Sequence, residues 1–120
     1  VLEGIALQNM DGFRAMQSEY DGKITKMRAD GGMVDNKFLM QFQADLLGIP
    51  VEVPLEKETS AMGSAFLAAL TMGDLNSLAD ANPYVKYKCV FEPKMSDDER
   101  EFRLARYHQA VERSRGWAQK

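Results

Sequence analysis

The apolar residues of this chain change their spacing as the sequence proceeds, and that alternation limits the folds open to it. Leu2, Ile5, Ala6, Met10, Phe13 and Met16 recur at three- and four-residue steps, the period of an amphipathic helix over roughly residues 1–19. Tyr20-Asp21-Gly22 is a turn signal, and KITKMRA (23–29) reads as a strand of weak periodicity. Asp30-Gly31-Gly32 turns the chain into a second helix, about Val34 to Leu47, with Phe38, Leu39, Phe42 and Leu46 on its apolar face. Gly48 stops that helix and Pro50 cannot continue it. VEVP (51–54) is a short strand, Ser60 caps a third helix, and Gly73 ends it. Leu75–Leu78 suggests a turn of helix broken at Asn82-Pro83. VKYKCVFEP (85–93) is a strand with Val85, Tyr87, Cys89 and Phe91 on one face. Ser96-Asp97-Asp98-Glu99 is a capping box that opens a last helix to about residue 118. The order αβαβαβα predicts an α/β layered domain with helices packed on short strands.

A chain of 120 residues is one domain by length, and its 45% apolar and 28% charged content is that of a globular protein. A net charge of −3 gives no broad basic surface, so the expectation is no nucleic acid partner. No apolar run approaches the roughly 20 residues of a membrane span, and Glu3, Gln8 and Asp11 interrupt any secretory apolar core. With Cys89 the single cysteine, no internal disulfide framework exists, and a reducing, cytoplasmic setting is expected. The first helix begins at Val1 without a capping residue ahead of it, which reads as a piece of a longer chain.

The two glycines invite a chemical reading. A strand that runs through a glycine turn into a helix N-terminus presents unpaired N–H groups and the positive end of a dipole, an arrangement suited to phosphate. No Gly-Lys-Ser/Thr follows, which excludes a P-loop, and no third glycine completes GxGxxG. On spacing alone a plain left-handed connection explains Gly31-Gly32, and Asn36 reads as a solvated residue one turn into the helix. The third helix carries Ala61, Gly63, Ser64, Ala65, Ala68 and Ala69, which predicts a tightly packed layer. Asp97, Asp98 and Glu99 are explained by capping rather than by a metal. His108 reads as solvated, and Cys89 as inert packing.

VLEGIALQ, RADGGMVDNKFLMQFQADLLGIPVEVP, ETSAMGSAFLAAL and AVERSRGW together resemble the C-terminal part of the glycerol kinase family, among the carbohydrate kinases of the actin/hexokinase/Hsp70 superfamily. The resemblance covers residues 1 to about 117. It implies the C-terminal part of an actin-like ATPase, ribonuclease H-like nucleotide-binding domain, with ATP or ADP and Mg²⁺ as its cofactors. By the same resemblance Gly32 would meet the α-phosphate and ribose end of the nucleotide, Asn36 would reach adenine, Gly31 would support the turn, and Asp30 would cap it. Lys37 departs from the second asparagine many relatives have there, and Ser60 and Ser64 stand where Thr and Ala are common. The catalytic base, the glycerol-binding residues, the phosphate loops and the main metal ligands of that family lie upstream. The segment is therefore expected to have no catalytic residue of its own and to be inactive alone, within an enzyme that phosphorylates glycerol and forms a homo-oligomer. Another sugar or polyol kinase, or a non-catalytic interaction fragment, is the alternative. The family's regulatory docking region matching Pro93 to Phe102 differs too much at Lys94 to Asp98 to be carried over.

Overall fold

The structure, a computed structural model, describes residues 1–56 and 58–116. Helix α1 (Leu2–Glu19) leads into β1 (Met27–Arg28), a 3₁₀ turn (Gly32–Asp35), α2 (Lys37–Leu47), β2 (Val51–Pro54) and α3 (Thr59–Met72). A second 3₁₀ segment (Leu78–Tyr84), β3 (Tyr87–Phe91) and α4 (Asp97–Ser114) follow. The α/β alternation expected from the apolar spacing is what forms.

The sheet has the order β1-β2-β3. β1 and β2 are parallel, with Met27 opposite Val51 and Arg28 opposite Glu52. β2 and β3 are antiparallel, with Val53 opposite Cys89 and an irregularity where Pro54 interrupts the ladder. The strand expected over 23–29 shrinks to two residues because a strand is defined by its partner. β2 is extended only from Val51, and the Met27 N–H already reaches back to the carbonyl of Pro50 (2.9 Å).

The core lies on one face of this sheet. α2 buries Leu39, Met40, Phe42, Ala44, Leu46 and Leu47 against Val51 and Val53 of β2, Ala6 and Met10 of α1, and Leu104 of α4. Phe38, expected on that face, is 54% exposed and stacks on Phe42 with ring centroids 5.8 Å apart. α4 is fastened to α1 by polar links at its rim: Arg14 Nη2 to Glu101 (2.8 Å) and His108 Nε2 to Asp11 (2.8 Å). His108 is thus a bridge between helices, which its isolation in the sequence could not reveal. The Asp45 carboxylate accepts from Lys94 N (2.6 Å) and Met95 N (3.3 Å), tying α2 to the segment that enters α4. Ser96 accepts from Glu99 N as a cap should, but the Glu99 carboxylate turns to Arg103 (2.8 Å) instead of closing a capping box.

Three further expectations are corrected. α3 starts at Thr59 with Glu58 in the cap position, so Ser60 lies inside the helix, its carbonyl accepting from Ser64 Oγ (3.0 Å). α3 has no buried residue, so its small side chains do not make the tight layer expected of them. A helix apolar all round is suited to burial on several sides, but among the described residues its main neighbour is the second 3₁₀ segment, where the ring of Tyr84 lies 6.4 Å from Phe66. Pro83 does not break the connection before β3; it sits within the second 3₁₀ segment, where its fixed φ is compatible with the tighter turn. α4 ends at Ser114, and Trp117 lies outside the described residues. Among the described residues no helix is long and apolar enough to cross a membrane.

Candidate nucleotide-binding turn

The glycine turn stands at the C-terminal end of the parallel pair. The Ala29 N–H still follows the ladder, donating to the Glu52 carbonyl (3.0 Å). Asp30 leaves the sheet, and Gly31 then adopts φ 95°, ψ −177°, a region open essentially to glycine alone. The first hydrogen bond of the 3₁₀ turn runs from the Val34 N–H to the Gly31 carbonyl (3.3 Å). The N–H groups of Gly32 and Met33, ahead of that bond, therefore have no partner among the described residues.

Gly32 differs from its neighbour. Its φ is not positive, and a Cβ built on it would meet nothing within 4 Å. Among the described residues neither the backbone nor the packing demands glycine there. A glycine with no internal reason leaves room for something the chain itself does not supply.

Asn36 is the N-cap of α2, not a residue one turn inside it. Its Oδ1 accepts from the Leu39 N–H (3.0 Å) and its carbonyl from the Met40 N–H (3.1 Å). The residue is half-buried. Asparagine before an apolar helical run is a good N-cap signal, so this role was legible in the sequence beside the ligand role.

Charged side chains brace the turn from both ends. The Asp30 carboxylate accepts from Thr59 Oγ1, the first residue of α3. Asp30 is thus a link to another helix rather than the cap expected of it. Asp35 pairs with Lys88 of β3 (2.9 Å), and the hydrogen bond and charge of Asp35 hold the Lys88 ammonium above its ordinary value. One strand away, burial pushes the Glu52 carboxyl up, but hydrogen bonds from Lys26, Arg28 and Tyr87 outweigh it and hold the group below its ordinary value.

Two clefts flank the end of β1 and share Arg28, Ala29 and Asp30. One, of about 310 Å³, opens toward α3 and is walled by Thr59, Met62, Phe66 and Tyr87. The other, of about 290 Å³, opens toward α1 and is walled by Ile5, Asn9, Met33, Met40 and Gln43. Gly31, Gly32 and Asn36 line neither cleft. Among the described residues no group of three or more His, Cys, Asp and Glu side chains is placed to hold a metal. Asp97, Asp98 and Glu99 sit in the first turn of α4, and Cys89 is a half-buried free thiol on β3. Thr59 and Lys88 carried no local signal of their part in the turn, because each reaches it only through the folding of a distant segment.

An α/β layer whose parallel strand ends in a glycine turn and a helix N-terminus is a class of domain that offers backbone N–H groups to an anion. Comparison with known proteins narrows this. Residues 1–72 match the model of the C-terminal domain of the FGGY family of carbohydrate kinases, and the chain belongs to that family. It is 45% identical over 116 residues to a glycerol kinase of Aromatoleum aromaticum, covering 97% of this chain and 23% of that protein. A glycerol kinase 2 of Pseudomonas aeruginosa is 46% identical over 116 residues, again 97% of this chain and 23% of that protein. The chain therefore spans about a quarter of the length of the relatives it matches. In fold it superposes on the crystal structure of Plasmodium falciparum glycerol kinase with ADP, with a TM-score of 0.88, 33% identity, and cover of 99% of this chain and 24% of that one. A xylulose kinase of Rhodospirillum rubrum, at 21% identity and TM-score 0.77, shares the fold.

Proposed function

We propose that this chain is the C-terminal part of the nucleotide-binding domain of an ATP:glycerol 3-phosphotransferase. In this reading it holds the adenosine end of ATP or ADP. The observation that carries the proposal is Gly32: nothing among the described residues requires glycine there, whereas an approaching phosphate would. The N–H groups of Gly32 and Met33 would face the α-phosphate, with the Gly31 conformation aiming them. Asn36 divides its amide, Oδ1 serving the cap of α2 and Nδ2 donating to the adenine ring. The likeness to glycerol kinases, one of them solved with ADP, supports the nucleotide and the glycerol substrate together.

Phosphoryl transfer depends on holding the acceptor hydroxyl, the nucleotide and the metal in line. This chain would contribute only nucleotide position. In this reading the Mg²⁺ that accompanies ATP, the base and the glycerol pocket would belong to the remaining three-quarters of the enzyme. A cytoplasmic, homo-oligomeric enzyme completes the proposal. The purified 120-residue chain should produce no glycerol 3-phosphate from glycerol and MgATP above a mock preparation, while the full-length protein does. Turnover by the chain alone would overturn this division of labour. A full-length protein that phosphorylates xylulose or gluconate but not glycerol would overturn the substrate.

A further inference from the structure

The Gly31–Gly32 turn is steadied by an element far from it in sequence. Asp30 accepts the hydroxyl of Thr59, 29 residues further on. The two meet because β1 and β2 are parallel, which brings their C-terminal ends side by side. Asp30 leaves the one just as the chain that becomes α3 leaves the other. On the far side of the turn, Asp35 is paired with Lys88 and Asn36 is fixed by its own cap.

These outer ties matter because of what lies between them. Glycine explores more backbone conformations than any other residue, and Gly31 and Gly32 are adjacent. Neither glycine has a Cβ contact that would hold it. The direction of the Gly32 and Met33 N–H groups is therefore set by the residues bounding the pair. At the leading end that residue is Asp30, which makes its side-chain bond to Thr59. We propose that Thr59 is a positioning residue for the nucleotide: acting through Asp30, it pre-orders the glycine turn so that binding does not have to. The proposal rests on the nucleotide role of the turn given above. Without the hydroxyl, the turn samples more conformations and ordering it is charged against the affinity of the ligand.

The test is made on the full-length protein with Thr59→Val, which keeps the shape and removes the hydroxyl, and Thr59→Ser, which restores it. Calorimetry should give a Kd for ADP raised roughly 2- to 13-fold in Thr59→Val, the range for loss of one ordinary hydrogen bond, since Asp30 is exposed and solvent screens its charge. The KM for ATP should rise in step, the KM for glycerol should stay within about 2-fold of wild type, and Thr59→Ser should return both nucleotide values. Asp30→Asn, which weakens the same bond from its other end, should copy the valine variant and serves if that variant does not fold. Wild-type ADP affinity in Thr59→Val would overturn the inference. So would equal impairment of the valine and serine variants, which would assign the effect to the start of α3 rather than to the hydroxyl. A wild-type protein that binds no ADP would instead overturn the nucleotide reading itself.

Discussion

Replacing Asn36 separates the cap role observed for its side chain from the adenine contact proposed for it. Asn36→Ala deletes both the Oδ1 that accepts from Leu39 N at 3.0 Å and the Nδ2 assigned to adenine. Loss of an N-cap costs about 0.5–2 kcal/mol. If the first turn of α2 opens locally, that range corresponds to amide exchange at Leu39 and Met40 faster by roughly 2- to 30-fold. Loss of one neutral hydrogen bond to adenine costs about 0.5–1.5 kcal/mol, a KM for ATP raised roughly 2- to 13-fold. The turnover number should change less, since adenine is remote from the reacting phosphorus. Asn36→Asp divides the two effects. It keeps an oxygen for the Leu39 N–H and adds a negative charge near the helix N-terminus, where the dipole favours it. It also replaces the Nδ2 donor with an acceptor. The aspartate variant of the full-length protein should therefore exchange at the wild-type rate in α2 yet show a KM for ATP raised at least as far as the alanine variant. Its preference for ATP over other nucleoside triphosphates should fall as well. Hydrogen exchange with mass spectrometry reads the first effect and steady-state kinetics the second. An Asn36→Asp enzyme with the wild-type KM for ATP and an unchanged nucleotide preference would refute the reasoning and leave Asn36 as a cap alone.

The neighbouring glycines should fail in different ways. Gly31→Ala forces a side chain into φ 95°, ψ −177° and should lower stability by about 1–3 kcal/mol in urea unfolding, with nothing clashing against the new methyl. Gly32→Val should cost less stability than that but weaken ATP and ADP alike, leaving the glycerol KM near wild type in the same kinetic assay. Glu52 supplies a pH signature. Because its carboxyl is held below the ordinary value of 4.5, its stabilisation is full above that value and is lost as pH falls through the lowered folded value. Thermal scans from neutral to acid pH should show the wild type losing its margin over Glu52→Gln on the acid side. A margin that stays constant with pH would reject the ion-pair account.

Much of the architecture was legible because it rests on near neighbours. The spacing of Leu39, Phe42 and Leu46, the stop at Gly48 and the cap at Ser96 are settled within a turn of helix or two, and each element they define is present. The candidate turn was legible for the same reason, since Asp30-Gly31-Gly32 can hardly continue a strand or begin a regular helix. What the sequence alone could not decide was everything that depends on which segments lie side by side. The strand at 23–29 lasts only as far as β2 offers a partner, the helix at Thr59 begins beside Asp30, and His108 finds Asp11 across two helices. The small residues of α3 promised close packing, yet burial is a property of surroundings and none of its side chains is buried. Local spacing determined that a glycine turn joins a strand to a helix here. The parallel pairing of β1 with β2 decided which side chain holds it, because hydrogen bonds between residues 29 apart exist only once the sheet has brought them together.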